Sequence, residues 1–488
     1  MTEQVLQRDQ LGVASVVFFV VAAAAPLVGM TGAAPLAMVL GNGAAVPGAY
    51  LLVGLVLLLF SVGYTSMSLR ITNAGAFFAY IGAGLGARAG LGAAYTSLLA
   101  YWAIQVAIYG FFGGLMNMLW GLMPWWAWSL LACALVTALS CRHVEVGARV
   151  LGVLLVLEML CLLITALAIF ASKGLGAVPW AAAFSPTAIF SGGLGGASGI
   201  ALAFAVASFI GFEATAIYSE ESKDPQKTVG KATYWAVGLI TVFFALTTLA
   251  MVTALGAEQA VDEVLKRSTV DGKPLTDPAA VLFSLAEQYV GPWMGQVMGL
   301  LVLSSLFAGL LAFQNAAARY AFALARVGAL PRAWHRVNGA GAPIMASLLT
   351  TGVALLCMVL SALFGFDPML KVFAWGSGVA VVAILTIEIA VCFAVWSFFR
   401  KQPGLVNAWH STVAPWLSAL LMSVGLYLLV SRFGLLTGEV LEGVDPATTA
   451  WGLNALGWSL LCLPYVVFLL GMLLAPKLGL FEEDLLKR

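Results

Sequence analysis

Apolar residues run along this chain in blocks of about 20, the length a helix needs to cross a bilayer core, and short polar or Gly/Pro-rich breaks separate the blocks. Twelve can be marked, at 11–40, 46–69, 91–120, 124–141, 146–171, 197–219, 230–255, 292–325, 343–364, 372–399, 409–434 and 449–475. Each predicts a transmembrane helix, so the expected fold is an all-α polytopic membrane protein with 12 spans. The longest hydrophilic connection, 256–280, falls between the seventh and eighth blocks and predicts an extracellular helical loop.

Two blocks carry interruptions. The middle of the first reads Pro26-Leu27-Val28-Gly29-Met30-Thr31-Gly32-Ala33-Ala34-Pro35. Its prolines remove donors and its glycines loosen φ/ψ, so the helix either breaks there or is kinked and packed by small residues. The sixth block, within Ser191–Val229, has a glycine-rich start and a short apolar helix. Phe209-Ile210-Gly211-Phe212-Glu213 then stands at mid-span, and the block leaves through Glu220-Glu221-Ser222-Lys223-Asp224-Pro225. A charged Asp, Lys or Arg at that depth costs about 2.5–3.5 kcal/mol even on lenient scales. Membrane proteins tolerate such residues where a broken backbone surrounds a buried, water-accessible site. Interrupted spans at matching places in two halves point to an inverted repeat with a site between them. Residues 11–171 and 172–399 then form the two five-span repeats, with broken helices 1 and 6, and 400–475 supplies an accessory pair.

Composition agrees with a lipid environment. The chain is 62% hydrophobic and 9% charged, against about 25% charged in soluble domains. A net charge of +1 with no basic run offers nothing to nucleic acid. The polar start MTEQVLQRDQ and the length of the first apolar run argue against a cleaved signal. Of the 23 Lys and Arg, all but Lys173, Lys266, Arg267, Lys273, Lys371 and Arg432 fall on one side of the spans, which predicts that side, with termini 1–10 and 476–488, to be cytoplasmic. Cys133, Cys141, Cys161, Cys357, Cys392 and Cys462 lie in or at the ends of apolar blocks without a Cys-x-x-Cys, and read as packing residues. His143, His335 and His410 fall in or beside the polar connections. No metal-ligand, cofactor or catalytic set is expected, and an intramembrane enzyme is disfavoured.

A broken helix exposes N–H groups at the start of its second half, which suit a carboxylate, and C=O groups at the end of its first half, which suit an ammonium or a cation. Two facing breaks would cradle a zwitterion. The N–H groups are expected from Met30, Thr31 and Gly32 in the Val28–Gly32 stretch, and the carbonyls from Ala207, Ser208 and Ile210. Phe209 and Phe212 either form an apolar lid or pack. Glu158, Glu213 and Glu388 lie inside spans, and no Lys or Arg stands well inside a span to neutralise them. They are either protonated at rest or attract a cation. Glu213, beside the break, is the first candidate for proton coupling, against a structural bond that holds the unwound strand. Glu158 is open between the two roles, and Glu388, with no break beside it, reads as an interhelical hydrogen bond. Tyr101, Gln105 and Tyr109, at i, i+4, i+8, share a face with a site-lining or an interhelical role.

These residues resemble a known family, the amino acid permeases of the amino acid–polyamine–organocation transporter superfamily. Phe209-Ile210-Gly211-Phe212-Glu213 with Ser219-Glu220-Glu221-Ser222-Lys223-Asp224-Pro225 is similar to that family's sixth-span signature. Asn73-Ala74-Gly75-Ala76-Phe77-Phe78-Ala79-Tyr80 resembles its loop after span two, and Ala318-Arg319-Tyr320 through Leu330-Pro331 its segment closing span eight. The resemblance covers spans one to ten and implies a five-plus-five inverted repeat, alternating access and a proton-sensing role for Glu213. There are departures. Gly29-Met30-Thr31-Gly32 stands where members commonly show Gly-Ser-Gly, and Glu158 stands where some proton-coupled members carry a lysine. Ser304-Ser305 offers hydroxyls for sodium, although the resemblance puts that site nearer Ala308-Gly309. The expected function is H⁺-coupled symport of an amino acid across the cell membrane, by a monomer or homodimer. The alternatives are an amine or polyamine carrier or exchanger, and a Na⁺-coupled symporter.

Overall fold

Inside a bilayer no water satisfies backbone N–H and C=O groups, so each apolar run must close its hydrogen bonds within itself. The computed structural model follows that rule. It describes residues 6, 9–142, 144–270, 272–273, 275, 277–339, 341–476 and 479, the side chains of 144–148 and 150 excepted. These residues are helical with no strand, apart from isolated bridges such as Leu11 with Ser222 and Val440 with Leu453. His143, Arg8, Lys477, Lys487, Arg488 and most of the two termini expected in the cytoplasm lie outside the described residues.

The first block is divided into α1 (Val13–Ala24), α2 (Pro26–Thr31) and α3 (Ala33–Leu40). There follow α4 (Val46–Ser68), α5 (Phe77–Leu85), α6 (Ala87–Trp120), α7 (Trp125–Ser140) and α8 (Val144–Lys173). Short helices α9 (Trp180–Phe184) and α10 (Pro186–Ile189) lead into α11 (Ala197–Ser208), which a 3₁₀ helix, Phe212–Glu221, continues. The remainder is α12 (Pro225–Leu255), α13 (Ala260–Ser268), α14 (Ala279–Tyr289), α15 (Pro292–Arg326), α16 (Ile344–Leu363), α17 (Ala374–Lys401), α18 (Ala414–Ser431), α19 (Phe433–Thr437) and α20 (Ala455–Leu474). Among the described residues, eleven of these spans are long and apolar enough to cross a membrane, and α7, the fourth block, is a shorter apolar helix of 16 residues. The last block starts later than its hydropathy indicates. Residues before Ala455 form turns, and the Asn454 side chain accepts the Gly457 N–H at 2.8 Å, capping α20.

The 34-residue α6 is the hub, touching α5, α7, α15, α17 and α20. Small residues let helices come this close: a Cβ on Gly471 would lie 2.8 Å from the Gly92 Cα where α20 crosses α6. Outward faces keep large apolar side chains exposed, Leu356, Leu420 and Leu469 among them, which is the surface lipid solvates. The hydrophilic connection is partly helical, as expected. Its α13 lies on α3 and carries Asp262 and Glu263 in the first turn and Lys266 and Arg267 in the last, in the sense the helix dipole favours. The following α14 lies against α2 and α15, so both helices fold over the second half of the first span.

Candidate functional site

The first span does break, but earlier than its glycines suggest. The chain leaves α1 at Ala25, which adopts left-handed φ 44° and ψ 66° and returns its N–H to the Ala22 carbonyl. Pro26 is the cause. It pushes the residue before it out of the helical region, then occupies the first position of α2, where its missing donor costs nothing. This corrects the expectation of a gap at Gly29–Gly32. Met30 and Thr31 lie inside α2, Gly29 donates to the Ala25 carbonyl at 3.1 Å and Gly32 to that of Val28 at 2.9 Å. The N–H cluster assigned to Met30, Thr31 and Gly32 is therefore consumed by the helix, and Gly32 marks only a bend into α3. Glycine loosens a helix without removing a donor, so its ladder survives where lipid penalises a broken one.

The sixth span breaks where expected. Its α11 ends at Ser208 and Gly211 takes φ 114°. The Gly211 N–H, which would extend α11 by bonding the Ala207 carbonyl, goes instead to Glu213 Oε2 at 2.7 Å. The Phe212 N–H turns to the Phe209 carbonyl at 3.5 Å, so the Ser208 carbonyl also leaves the α-helical ladder. Glu213 thus holds the unwound strand open, and the Tyr64 hydroxyl donates to its backbone oxygen at 2.6 Å. Only glycine fits at 211, because φ is positive and an added Cβ would lie 2.8 Å from the Ala23 Cβ and 3.0 Å from the Ala24 nitrogen. The same distances show that the two breaks touch.

Between them is a cavity of about 280 Å³. Val28, Gly29 and Gly32 line it from the first span, and Ala207, Ser208 and Ile210 from the sixth. Ile104, Ile108 and Phe111 of α6 and Phe313 of α15 complete an apolar wall in which Ser208 and Ser377 supply the polar side chains. The other expected lining residues face elsewhere. Met30 is buried, and Thr31 donates to the Leu27 carbonyl at 2.8 Å. Phe209 and Phe212 turn to a neighbouring cavity and do not lid this one, because the left-handed turn at Gly211 carries that face of the span away. Gln105 lies in an interhelical network, 3.3 Å from the Tyr109 hydroxyl and from Gln314 Oε1, while Gln314 donates to Ser347 of α16. Tyr101 meets Tyr320 edge-on and lies beside the Glu213 carboxyl. The polar stripe of α6 thus faces its helical neighbours, and the apolar stripe beside it, Ile104, Ile108 and Phe111, faces the cavity. That stripe was visible in the sequence as ordinary helical periodicity and carried no signal of its role.

All three intramembrane carboxylates are buried. Ser305 donates to Glu158 Oε2 at 2.8 Å, and the Leu27 N–H at the start of α2 lies at the same carboxylate. Glu158 therefore takes one of the N–H groups that the first break exposes. Glu388, expected to make an interhelical bond, leaves its buried Oε1 without a partner among the described residues. The carboxylates of the sixth span's exit behave differently. Arg319 of α15 grips Glu221 with Nε and Nη2 and donates through Nη1 to the Asn315 carbonyl and Oδ1. Its guanidinium also lies over the Tyr218 ring. Arg326 holds Glu220 at 2.6 and 2.8 Å, and Glu220 also accepts the Ala74 N–H at 2.8 Å. Gln10 and Leu11 donate to the Glu221 carbonyl at 2.9 Å, tying in the segment before α1. Sequence reasoning read these stretches separately and missed their pairing, for which no local spacing exists.

A helical membrane protein whose first and sixth spans break against each other around a buried cavity has the architecture of a membrane transporter. The amino acid permease family model matches residues 16–465, and the chain belongs to that family, one of transporters and not of enzymes. It is similar to an uncharacterized transporter of Legionella pneumophila, 34% identical over 155 residues that make up 32% of this chain and 30% of that protein. It is also similar to the histidine permease of Saccharomyces cerevisiae, 26% identical over 222 residues, 42% of this chain and 35% of the relative. Each alignment thus spans about a third of the relative's length.

Proposed function

We propose that this protein is a secondary transporter that moves an amino acid across the cell membrane by alternating access, in symport with H⁺. The observation that carries this reading is the direct contact of the two breaks, Gly211 against Ala23 and Ala24, beside a cavity both of them line. The carbonyls of Ala207 and Ser208, freed from the helical ladder, are the ammonium end of the site. The apolar wall of Ile104, Ile108, Phe111 and Phe313 suits an apolar side chain. A polyamine would need carboxylates along its length, and none lines this cavity among the described residues, which disfavours a polyamine.

Glu213 is the coupling group in this proposal. It is buried beside the break with no basic side chain bonded to it among the described residues, and it controls the Gly211 N–H, so a change of its charge alters the turn that shapes the site. Glu158, bonded to Ser305 at the first break, is the second candidate. A carboxylate and a hydroxyl at a helix break also suit Na⁺, and this pair is what favours the sodium alternative. The proposal keeps residues 11–171 and 172–399 as inverted repeats, 400–475 as accessory and both termini in the cytoplasm. Uptake of radiolabelled amino acids into proteoliposomes under an imposed pH or sodium gradient tests it. Accumulation driven by a pH gradient supports the reading. Accumulation driven by sodium alone, or of polyamines alone, overturns it.

A further inference from the structure

A second cavity, of about 330 Å³, lies behind the sixth-span break. It shares Ile210 and Val381 with the first, so the two are neighbours with a common wall. Side chains of α4, α11, α17 and α18 enclose it, Val56, Leu202, Leu385 and Met422 among them, with Phe209 and Phe212 from the break. Its rim includes Leu421 and Val424 of α18, whose 39% and 37% exposure puts them on the outward surface. The groove therefore opens on the face that lipid covers.

One group in it is ionisable. Glu388 is 3% exposed and lines the groove, and its Oε1 has no hydrogen-bond partner among the described residues. Among the described residues no Lys, Arg or His lines the groove, and a second acid, Glu213, acts electrostatically on Glu388. A buried acceptor without a donor is costly, so a ligand that brings an N–H group to Glu388 is favoured, and one that also brings positive charge pairs with its carboxylate in the apolar channel. A zwitterion does not fit, since its carboxylate would find no donor and two acids. A molecule with one protonated amine on an apolar body meets each requirement, and the volume lies in the range of small-molecule pockets.

We propose that this groove binds amphiphilic amines from the lipid side, with the Glu388 carboxylate as their counter-ion and the walls of α4, α11 and α18 around their apolar part. The site is separate from the amino acid cavity and does not depend on the transport reading. The test uses purified full-length protein in nanodiscs and two probes of one shape, 2-phenylethylamine and 2-phenylethanol. Saturable binding of the amine is expected to exceed that of the alcohol by roughly tenfold or more, the size of losing a desolvated charge partner. Glu388→Gln should erase the difference between the probes. Gly425→Leu, which fills the groove and leaves the acid in place, should remove binding of both. The proposal fails if the amine binds Glu388→Gln or Gly425→Leu as it binds the parent protein, if both probes bind the parent protein alike, or if uptake is unsaturable partition into lipid. Thermal unfolding of each variant checks that it is folded, and either variant alone decides the question.

Discussion

The helix Phe212–Glu221 carries three glutamates into two different surroundings. At one end Glu213 is buried against a backbone turn, its Oε2 held by the Gly211 N–H and its Oε1 without a partner among the described residues. At the other, Glu221 and Arg319 are each 2% exposed and locked together, and Glu220 is gripped by Arg326. Glu213 and Glu221 are the same residue type and alike in burial, and the partner differs. A carboxylate with a guanidinium on both oxygens ties segments together, whereas Glu213 has the Gly211 N–H and the neighbouring Tyr101 and, among the described residues, no cation bonded to it. One short element thus has an end locked by two arginines and an end that, in the proposed mechanism, responds to protons.

Removing one partner at the locked end should have the largest effect. Arg319→Ala leaves Glu221 buried and uncompensated, with an expected loss of about 3–5 kcal/mol. This would be read as a collapse of the unfolding temperature and of folded yield in detergent. The double variant Arg319→Met/Glu221→Leu should recover much of it, and a double as damaged as the single would mean that the pair is not what closes that end. Next is Gly211→Ala at the open end. The added methyl meets Ala23 and the positive φ strains any side chain, for a cost of about 1–3 kcal/mol and near loss of uptake in proteoliposomes. Adding Ala23→Gly relieves the contact but not the φ, so recovery should be partial.

Glu213→Gln is gentler on the fold, because the amide oxygen still accepts the Gly211 N–H. Stability should change by no more than about 1 kcal/mol, while uptake loses its dependence on external pH. Full pH dependence in that variant would assign coupling elsewhere, Glu158 first. The smallest effect concerns His335, outside the spans and beside the locked end. Its ring lies 4.4 Å from that of Phe322, and partial burial, with Arg326 nearby, holds its pKa below the ordinary 6.5. The fold therefore favours neutral imidazole. Stability should be unaffected above pH 6.5, fall as pH drops through 6.5, and level off below the folded-state value. His335→Gln should flatten that slope in melting curves taken between about pH 5 and 8.

How much of this was legible differs by residue. The break at Gly211 could be read because a glycine and an acid in an apolar run have no other common cause. The break at Ala25 is equally local, an Ala-Pro step, but Gly29, Gly32 and Pro35 make the residues after it look as breakable. The direction of α6 was not legible. Tyr101, Gln105 and Tyr109 form a polar stripe whether they face a ligand or another helix, and Gln314, itself donating to Ser347, accepts from Gln105 only once α15 and α16 are in place. Nothing near Glu388 in the chain is unusual, which suggests a structural hydrogen bond, and only the helices around it leave its Oε1 unmet among the described residues.

By itself the sequence determined what depends on near neighbours along the chain: where helices run, since apolar length decides that, and where they fail, since a missing donor or a left-handed residue acts within one turn. Tertiary structure decided which stripe of each helix meets the cavity and which acid finds a cation. Those outcomes belong to pairs such as Glu221 with Arg319 and Gly211 with Ala23, far apart in sequence and joined only by packing, because an electrostatic or steric partner is defined by distance in space.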